Sequence, residues 1–482
     1  MLNNIKNITP VKISKPDNAD VFSPWDLEKI AIVECINQED VDSILDVAYK
    51  AFNDESKYLN KIKRLEILNN SKKILVNRSK DFAEIISKEG GKPLKDSIIE
   101  VDRAINGLEL CAEALKKSHG TEVPMGINTA SENKIAFTKK FPIGPVLAVS
   151  AFNHPLNLIV HQVGPSIAAG CPIIIKPALA TPCTCYAFIN LLIEAGLPNE
   201  FCQMININNH SITQNLVSDP RIAFFSFIGS SSVGWKLKSM LSPGTKCALE
   251  HGGIAPVIID KDTNLKEILP SILRGSFYHA GQVCVSIQKV IIHNDIIDDF
   301  IKMLKESAVK LKVGDPRKIE TDVGPLIRPS EVKRVDKIVK RAIKEGAELI
   351  CGGKPKSETT YECTILKNPI EESAISQEEI FGPVVCVYGY NLIIEAINKA
   401  NNDKYAFQSS VYTNDLDIAM LCYEKLDAKS VFINEQTAFR VDWMPFGGIK
   451  SSGESVGGID YTFSDLMYDK LIIINSKEIT KQ

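Results

Sequence analysis

Two stretches of this chain repeat one unit, a short apolar run rich in β-branched residues followed by a helical segment. The first stretch holds PVLAVSAF, CPIIIKPA, CQMINI and IAFFSFIG, separated by LNLIVHQVGPSIAAG, CYAFINLLIEAGLP and ITQNLVSD. The second, after Glu250, holds APVIID, SIQKVIIHN, CTILKN, VVCVYGY, QSSVYT and KSVFIN, again with helices between. Strands that lack a polar face need cover on both sides, and helical crossovers supply it, so each set predicts a parallel sheet in an α/β layer structure. Two sets predict two α/β domains, in keeping with 482 residues, a length too great for one simple core.

The flanking segments follow other rhythms. From Asn37 to about Ser118 apolar residues recur at three-and-four spacing, which predicts helices. TEVPMGINTASENKIAFTKKF alternates polar and apolar residues about a turn-rich centre and predicts a β-hairpin, while DKLIIINS predicts a further exposed strand. Hairpins and lone strands are marginal in water, so both are expected to find partners on another domain or subunit. The N-terminal MLNNIKNITPVKISKPDNAD lacks the apolar core of a secretory signal, and no run approaches the roughly 20 apolar residues of a membrane span, so a cytoplasmic location is expected. A net charge of -3 gives no electrostatic reason to expect nucleic acid, and the basic KRVDKIVKRAIKEGAE reads as a solvated helix face. The 12 cysteines are scattered. Their one close pair, Cys183 and Cys185, has no second pair or nearby histidine, so reduced thiols and no metal site are expected.

One cysteine stands in a distinctive setting, FYHAGQVCVS, where Gly281 and Gln282 precede Val283 and Cys284. Free cysteine is most often a small buried apolar residue. A nucleophilic thiol needs a base, a positive dipole or a lowered pKa, because its ordinary pKa near 8.5 leaves it mostly protonated. Glu250 in ALEHGGIAP ends an apolar run and meets two glycines, which permit close approach of a ligand; a solvated carboxylate at a strand end is the other reading. Asn153, after the strand PVLAV, is either an amide donor to a developing oxyanion or a helix cap. Lys176, at the end of CPIIIK, is either a ribose or phosphate contact or a solubilising charge. GSSSVG, from Gly229 to Gly234, begins a helix whose free N–H groups suit a phosphate, although it is neither the usual dinucleotide fingerprint nor a P-loop.

Taken together, Asn153, Lys176, GSSSVG, Glu250 with its glycines, and GQVC stand in the order and at nearly the intervals of the aldehyde dehydrogenase superfamily, and EEIFGPVV and PFGGIKSSG also resemble that family's motifs. The resemblance implies a Rossmann-type cofactor domain, an α/β catalytic domain and a small β oligomerisation domain. On it, residues 1–118 and 138–248 are the cofactor-binding domain, 249–460 the catalytic domain, and 119–137 with 461–482 the oligomerisation arms of a homodimer or homotetramer. It further implies that Cys284 attacks an aldehyde to give a thiohemiacetal, that Asn153 and the Cys284 N–H hold its oxyanion, and that Glu250 activates the water that hydrolyses the ensuing thioester. Lys176, Gly229, Ser230, Val233, Glu379 and Phe381 would hold the cofactor. Leu179 stands where many NAD-preferring members carry a glutamate against the ribose, so either NAD or NADP is expected.

Three residues point to a substrate with an anionic tail. Arg103 aligns with a position lining the family's substrate tunnel, Arg440 precedes the C-terminal motif, and His154 adjoins Asn153; arginines recognise carboxylate, phosphonate or phosphate through paired donors. ALEHGG, HAGQVCVS and TAFRVDWMPFGG look most like the branch holding phosphonoacetaldehyde dehydrogenases, with His251 where leucine is commoner. Val283 departs from the arginine that some phosphate- and phosphonate-acting relatives carry there. Phosphonoacetaldehyde and succinic semialdehyde are thus the expected substrate types, with lactaldehyde or glycolaldehyde as neutral alternatives. Two other classes compete: a thiol-dependent esterase using Cys284 with Glu250, and a non-catalytic binding protein, which would be expected to lack Cys284, Glu250 or Asn153.

Overall fold

The computed structural model describes residues 4–478; residues 1–3 and 479–482, the outer ends of the expected cofactor domain and arm, lie outside the described residues. Its centre is two open sheets. The first has six strands in the order Gly453–Glu454, Lys246–Glu250, Phe224–Ile228, Val146–Val149, Ile173–Lys176, Cys202–Met204, all parallel except the short edge strand Gly453–Glu454. The chain enters at Val146–Val149, winds outward through Ile173–Lys176 and Cys202–Met204, then returns to the other side at Phe224–Ile228. That reversal opens a crevice beyond the carboxyl ends of the strands, where ligands of doubly wound sheets bind. The second sheet runs Glu348–Cys351, Thr364–Lys367, Val384–Tyr390, Lys289–His293, Val257–Ile259, Gln408–Tyr412, Ser430–Ile433, with only the first pair antiparallel.

The two-sided apolar runs explain both sheets. Successive strand side chains point to opposite faces. Val146, Ala148, Ile173, Ile175 and Phe224 accordingly enter one core under the helices Leu94–Lys117 and Asn157–Ala169, whereas Leu147, Val149, Ile174, Phe225 and Phe227 enter another on the opposite face. In the second sheet Val257, Ile259, Val290 and Ile292 face one way, and Ile258 and Ile291 the other. Each such side chain taken fully from water contributes about 1.5–3 kcal/mol before the entropy cost of ordering the chain.

The expected helices before Ser118 form at Val41–Asn53, Lys61–Asn77, Ser79–Gly90 and Leu94–Lys117. Ahead of them a three-stranded sheet, Asn4–Ile5, Lys29–Cys35 and Asp17–Phe22, forms without a strong strand signal, because one member is two residues long and another reads DNADVF. The hairpin is Glu122–Val123 with Lys134–Pro142, and the C-terminal strand is Met467–Asn475. The two segments pair with each other, antiparallel, from Met467 opposite Pro142 to Asn475 opposite Lys134. Intervals expected to separate domains at 137/138 and 248/249 fall inside single strands, Lys134–Pro142 and Lys246–Glu250. The helix Ile459–Asp465, which crosses the expected end of the catalytic segment at 460, packs Ile459 and Phe463 into the first core. Among the described residues no helix is long and apolar enough to cross a membrane, and no cluster of His, Cys, Asp and Glu could hold a metal ion.

Candidate active site

One cavity of about 680 Å³ lies between the sheets, and Arg103, Asn153, His154, Lys176, Gly229, Ser230, Val233, Glu250, Cys284, Glu379, Phe381 and Arg440 all line it. Most come from strand ends. Lys176 and Glu250 are the last residues of their strands, Gly229 and Ser230 follow Phe224–Ile228 and lead into the helix Ser231–Lys238, and Asn153 lies four residues beyond Val149. These are the carboxyl ends on which the crevice opens.

Cys284 follows a left-handed run, with φ of 47° at His279, 55° at Ala280 and 70° at Gly281. A Cβ at Gly281 would collide with the Gly382 carbonyl oxygen, so this turn requires glycine. Gln282 pins the loop: its side chain donates to the carbonyls of His279 and Pro325 (3.2 Å each) and accepts from Ile327 N–H (3.0 Å). Val283 and Val285 pack with Phe407 into the apolar wall beside the thiol. Burial, followed by the charges of Glu379 and Glu250, pushes the Cys284 pKa well up, against the opposing pull of Arg440. The buried Asn153 amide donates to the Gln282 carbonyl at 2.9 Å, two residues from Cys284, which leaves it a second N–H. The Cys284 N–H has no carbonyl partner among the described residues.

Glu250 is pushed up to about 7 by burial, with Arg440 and Lys429 pulling the other way. Its carboxylate occupies space that only glycine leaves at Gly457, where a Cβ would collide with Oε1. Glu379 is likewise pushed up, to about 8, by burial. Its Oε1 is buried and unpartnered, and it fills the space left by the missing side chain of Gly252. Lys176 is brought down to about 8 by burial and donates only to the adjacent Pro177 carbonyl (3.2 Å). His251 points toward the helix start at Ser231 and away from the thiol loop: Nδ1 meets the Gly229 carbonyl oxygen at 2.9 Å, and the ring fills the space that Gly234 leaves in the helix.

The arginines differ from each other. Arg103 is held by the buried Asp442 through two hydrogen bonds, Nε to Oδ2 at 3.1 Å and Nη2 to Oδ1 at 2.7 Å. Asp442 also accepts from His161 Nε2 (2.8 Å) and Asn157 Nδ2 (3.1 Å). Arg440 stacks on Phe446, 4.1 Å from the ring centroid, and donates only to the Met444 carbonyl (2.9 Å). His154 meets the Tyr278 hydroxyl at 3.3 Å, and burial together with nearby positive charge keeps it neutral. Sequence reasoning missed Asp442, His161, Asn157, Tyr278 and Gly457. The usable signal was Asp442 itself, an acidic residue in FRVDW two places after Arg440.

Comparison with known proteins agrees with this geometry. Over 460 residues the chain is 36% identical to a 3-sulfolactaldehyde dehydrogenase of Priestia aryabhattai, covering 95% of each protein. It is 36% identical over 468 residues to a lactaldehyde dehydrogenase of Methanococcus vannielii, covering 95% of this chain and 98% of that protein. Its fold superposes with a TM-score of 0.91 on a glyceraldehyde-3-phosphate dehydrogenase of Methanocaldococcus jannaschii complexed with NADP, at 33% identity and covering 96% and 100% of the two chains. Residues 11–472 match the family model described as the aldehyde dehydrogenase family, and the chain belongs to that family.

Proposed function

We propose that this NAD(P)-dependent enzyme oxidises a short aldehyde with an acidic tail to the carboxylic acid, with Cys284 as nucleophile. The observation that carries the reading is the convergence of Cys284, Glu250, Asn153 and Arg440, which has no carboxylate partner among the described residues, on one cavity that also holds Lys176 and Glu379. The cavity fits a dinucleotide: Glu379 Oε1 is buried without a partner, Lys176 has no acidic partner among the described residues, and the helix start at Ser231 has no side-chain cap, all of which suit ribose and phosphate groups. Lys176, Gly229, Ser230 and Val233 would hold the adenosine and phosphate half, and Glu379 with Phe381 the nicotinamide ribose. Bound there, the cofactor supplies the hydride acceptor that converts the thiohemiacetal to a thioester.

The chain's own groups do the rest. A thiol made this reluctant to ionise gives up its proton only as the C–S bond forms, and of the two carboxylates within electrostatic reach, Glu379 and Glu250, the one poised nearest neutrality, Glu250, is the base. The second Asn153 N–H and the Cys284 N–H serve as donors to the oxyanion that develops on the former carbonyl oxygen. Once Glu250 has released the thiol's proton to solvent, it takes a proton from the water that attacks the thioester and passes it to the departing Cys284 sulfur, which restores the thiol. No acidic group is paired with Lys176, and Leu179 has no charge to repel a 2′-phosphate, so NADP is accepted as well as NAD. The anionic tail rests on Arg440, and the sulfonate of the Priestia relative's substrate is of that class. A neutral hydroxyaldehyde is the second reading, favoured by the likeness to the lactaldehyde dehydrogenase.

The exposed apolar side chains of Leu471, Ile472, Ile473 and Ile474 support a homodimer or homotetramer built on that strand. The test of function is a panel of succinic semialdehyde, phosphonoacetaldehyde, sulfoacetaldehyde and lactaldehyde, each with NAD and with NADP. Acidic aldehydes should have the highest kcat/KM. Ester hydrolysis without nucleotide reduction on any aldehyde would instead favour a thiol hydrolase.

A further inference from the structure

Five cationic side chains line the cavity: Arg103, Lys176, Arg274, Arg334 and Arg440. Three of them are already matched. Arg274 lies 3.3 Å from Asp96 and over the Tyr278 ring, Arg334 lies 2.8 Å from Glu331, and Arg103 is gripped by Asp442. Lys176 ends the strand Ile173–Lys176 of the first sheet. Near the thiol that leaves Arg440, which has no carboxylate partner among the described residues and lies within electrostatic reach of both Cys284 and Glu250.

Asp442 is therefore the residue that fixes how much positive charge a substrate tail meets. It is buried and fully hydrogen bonded, to Arg103 on both oxygens and to His161 and Asn157. Burial alone would raise its pKa, yet the hydrogen bond from His161 and the Arg103 guanidinium bring it well below the usual carboxylate range, so it stays ionised. Burial holds His161 on the neutral side despite that contact. Apart from Glu250, which acts on the thiol and the water, the charges at this end of the cavity are Arg103 and Arg440 against Asp442, a single positive charge in excess.

We propose that Asp442, by occupying Arg103, sets the tail subsite to accept one negative charge, so that carboxylate and sulfonate tails are selected over phosphate and phosphonate dianions. This rests on the acidic-tail reading above. A monoanion brings the buried group to neutrality, whereas a dianion leaves an uncompensated charge, and such a charge is costly to bury. Asp442 is a positioning residue: it acts through Arg103 and does not touch the reacting atoms.

The experiment compares kcat/KM for succinic semialdehyde and phosphonoacetaldehyde, each divided by the same protein's value for propanal, at about pH 8.5, where a phosphate-like tail carries close to two charges. The unaltered enzyme should favour the carboxylate by about tenfold or more. In Asp442→Asn the phosphonate-to-carboxylate ratio should rise at least about tenfold, and in Asp442→Asn with Arg103→Met, which restores the original charge, it should return toward its starting value. If Asp442→Asn does not fold, Arg103→Met alone decides: with Asp442 uncompensated, the dianion should lose more than the monoanion. An unchanged ratio in Asp442→Asn, or equal losses in Arg103→Met, overturns the role of Asp442 while leaving the acidic-tail reading intact. An unaltered enzyme that prefers propanal to both acidic aldehydes overturns that reading and this inference with it.

Discussion

Replacing Glu250 with glutamine should make the protein more stable and nearly inactive, and both effects follow from the same buried carboxyl. Its pKa is pushed from the usual 4.5 to about 7 by burial. A folded state that holds its proton more tightly than the unfolded chain loses stability as pH rises from about 4.5 to about 7, and above that the loss is complete. At about 1.4 kcal/mol per pH unit, the loss at about pH 8 has an upper limit near 3 kcal/mol, and solvent in the cavity reduces it to about 1–3 kcal/mol. Glu250→Gln carries no charge and avoids this cost, so its melting temperature should exceed that of the unaltered protein by a few degrees at about pH 8, with the gap closing near pH 5. Its kcat should fall by about 10²–10⁴. In the unaltered enzyme the ionised fraction of Glu250 rises from about one tenth at pH 6 to about nine tenths at pH 8, so kcat should rise about tenfold across that interval. Differential scanning fluorimetry at both pH values and a pH–rate profile measure these quantities. A variant no more stable at pH 8, together with a flat profile from pH 6 to 8, would refute the idea that burial holds this carboxyl near neutrality.

Other residues yield sharper single outcomes. Asn153→Ala should lower kcat by about 10²–10³ with little change in KM, since it removes a donor that acts on the developing oxyanion; a raised KM with kcat unchanged would assign it to binding instead. Gly281→Ala should destabilise the protein by about 1–3 kcal/mol, because the residue sits at φ 70° against the Gly382 carbonyl, and an unchanged melting curve would contradict the requirement for glycine. Lys176→Ala should raise the KM for the dinucleotide about tenfold or more and leave kcat nearly unchanged, which steady-state kinetics at saturating aldehyde will show. Light scattering should give at least twice the chain mass, and Ile472→Lys together with Ile474→Lys should lower it if the exposed strand is the contact.

Much of the site was legible because its residues sit at strand ends, and the strands declare themselves. Val146–Val149, Ile173–Lys176 and Phe224–Ile228 are apolar on both faces, so Asn153, Lys176 and Gly229 could be assigned to carboxyl ends before any coordinates. What stayed hidden depended on long-range pairing. Arg103 read as an open anion receptor, yet its partner Asp442 lies 339 residues away, and nothing local to either residue announces the other. The two segments at 121–141 and 469–476 each read as seeking a partner elsewhere, and their match emerged only from the register of the folded sheet. Gly457 belongs with these: its role is to be empty where Glu250 points, and emptiness leaves no periodicity to detect.

The pairing of Lys134–Pro142 with Met467–Asn475 also bears on how the chain is made. The earlier strand leaves the ribosome long before the later one, and it has only the two-residue Glu122–Val123 to hold in the meantime. The sheet is completed only by Met467–Asn475, whose residues pair with partners 325 (Met467 with Pro142) to 341 (Asn475 with Lys134) positions earlier in the chain. Pairing across so long a stretch of chain carries a large loop-closure cost, so this sheet closes after the local helices and hairpins have formed.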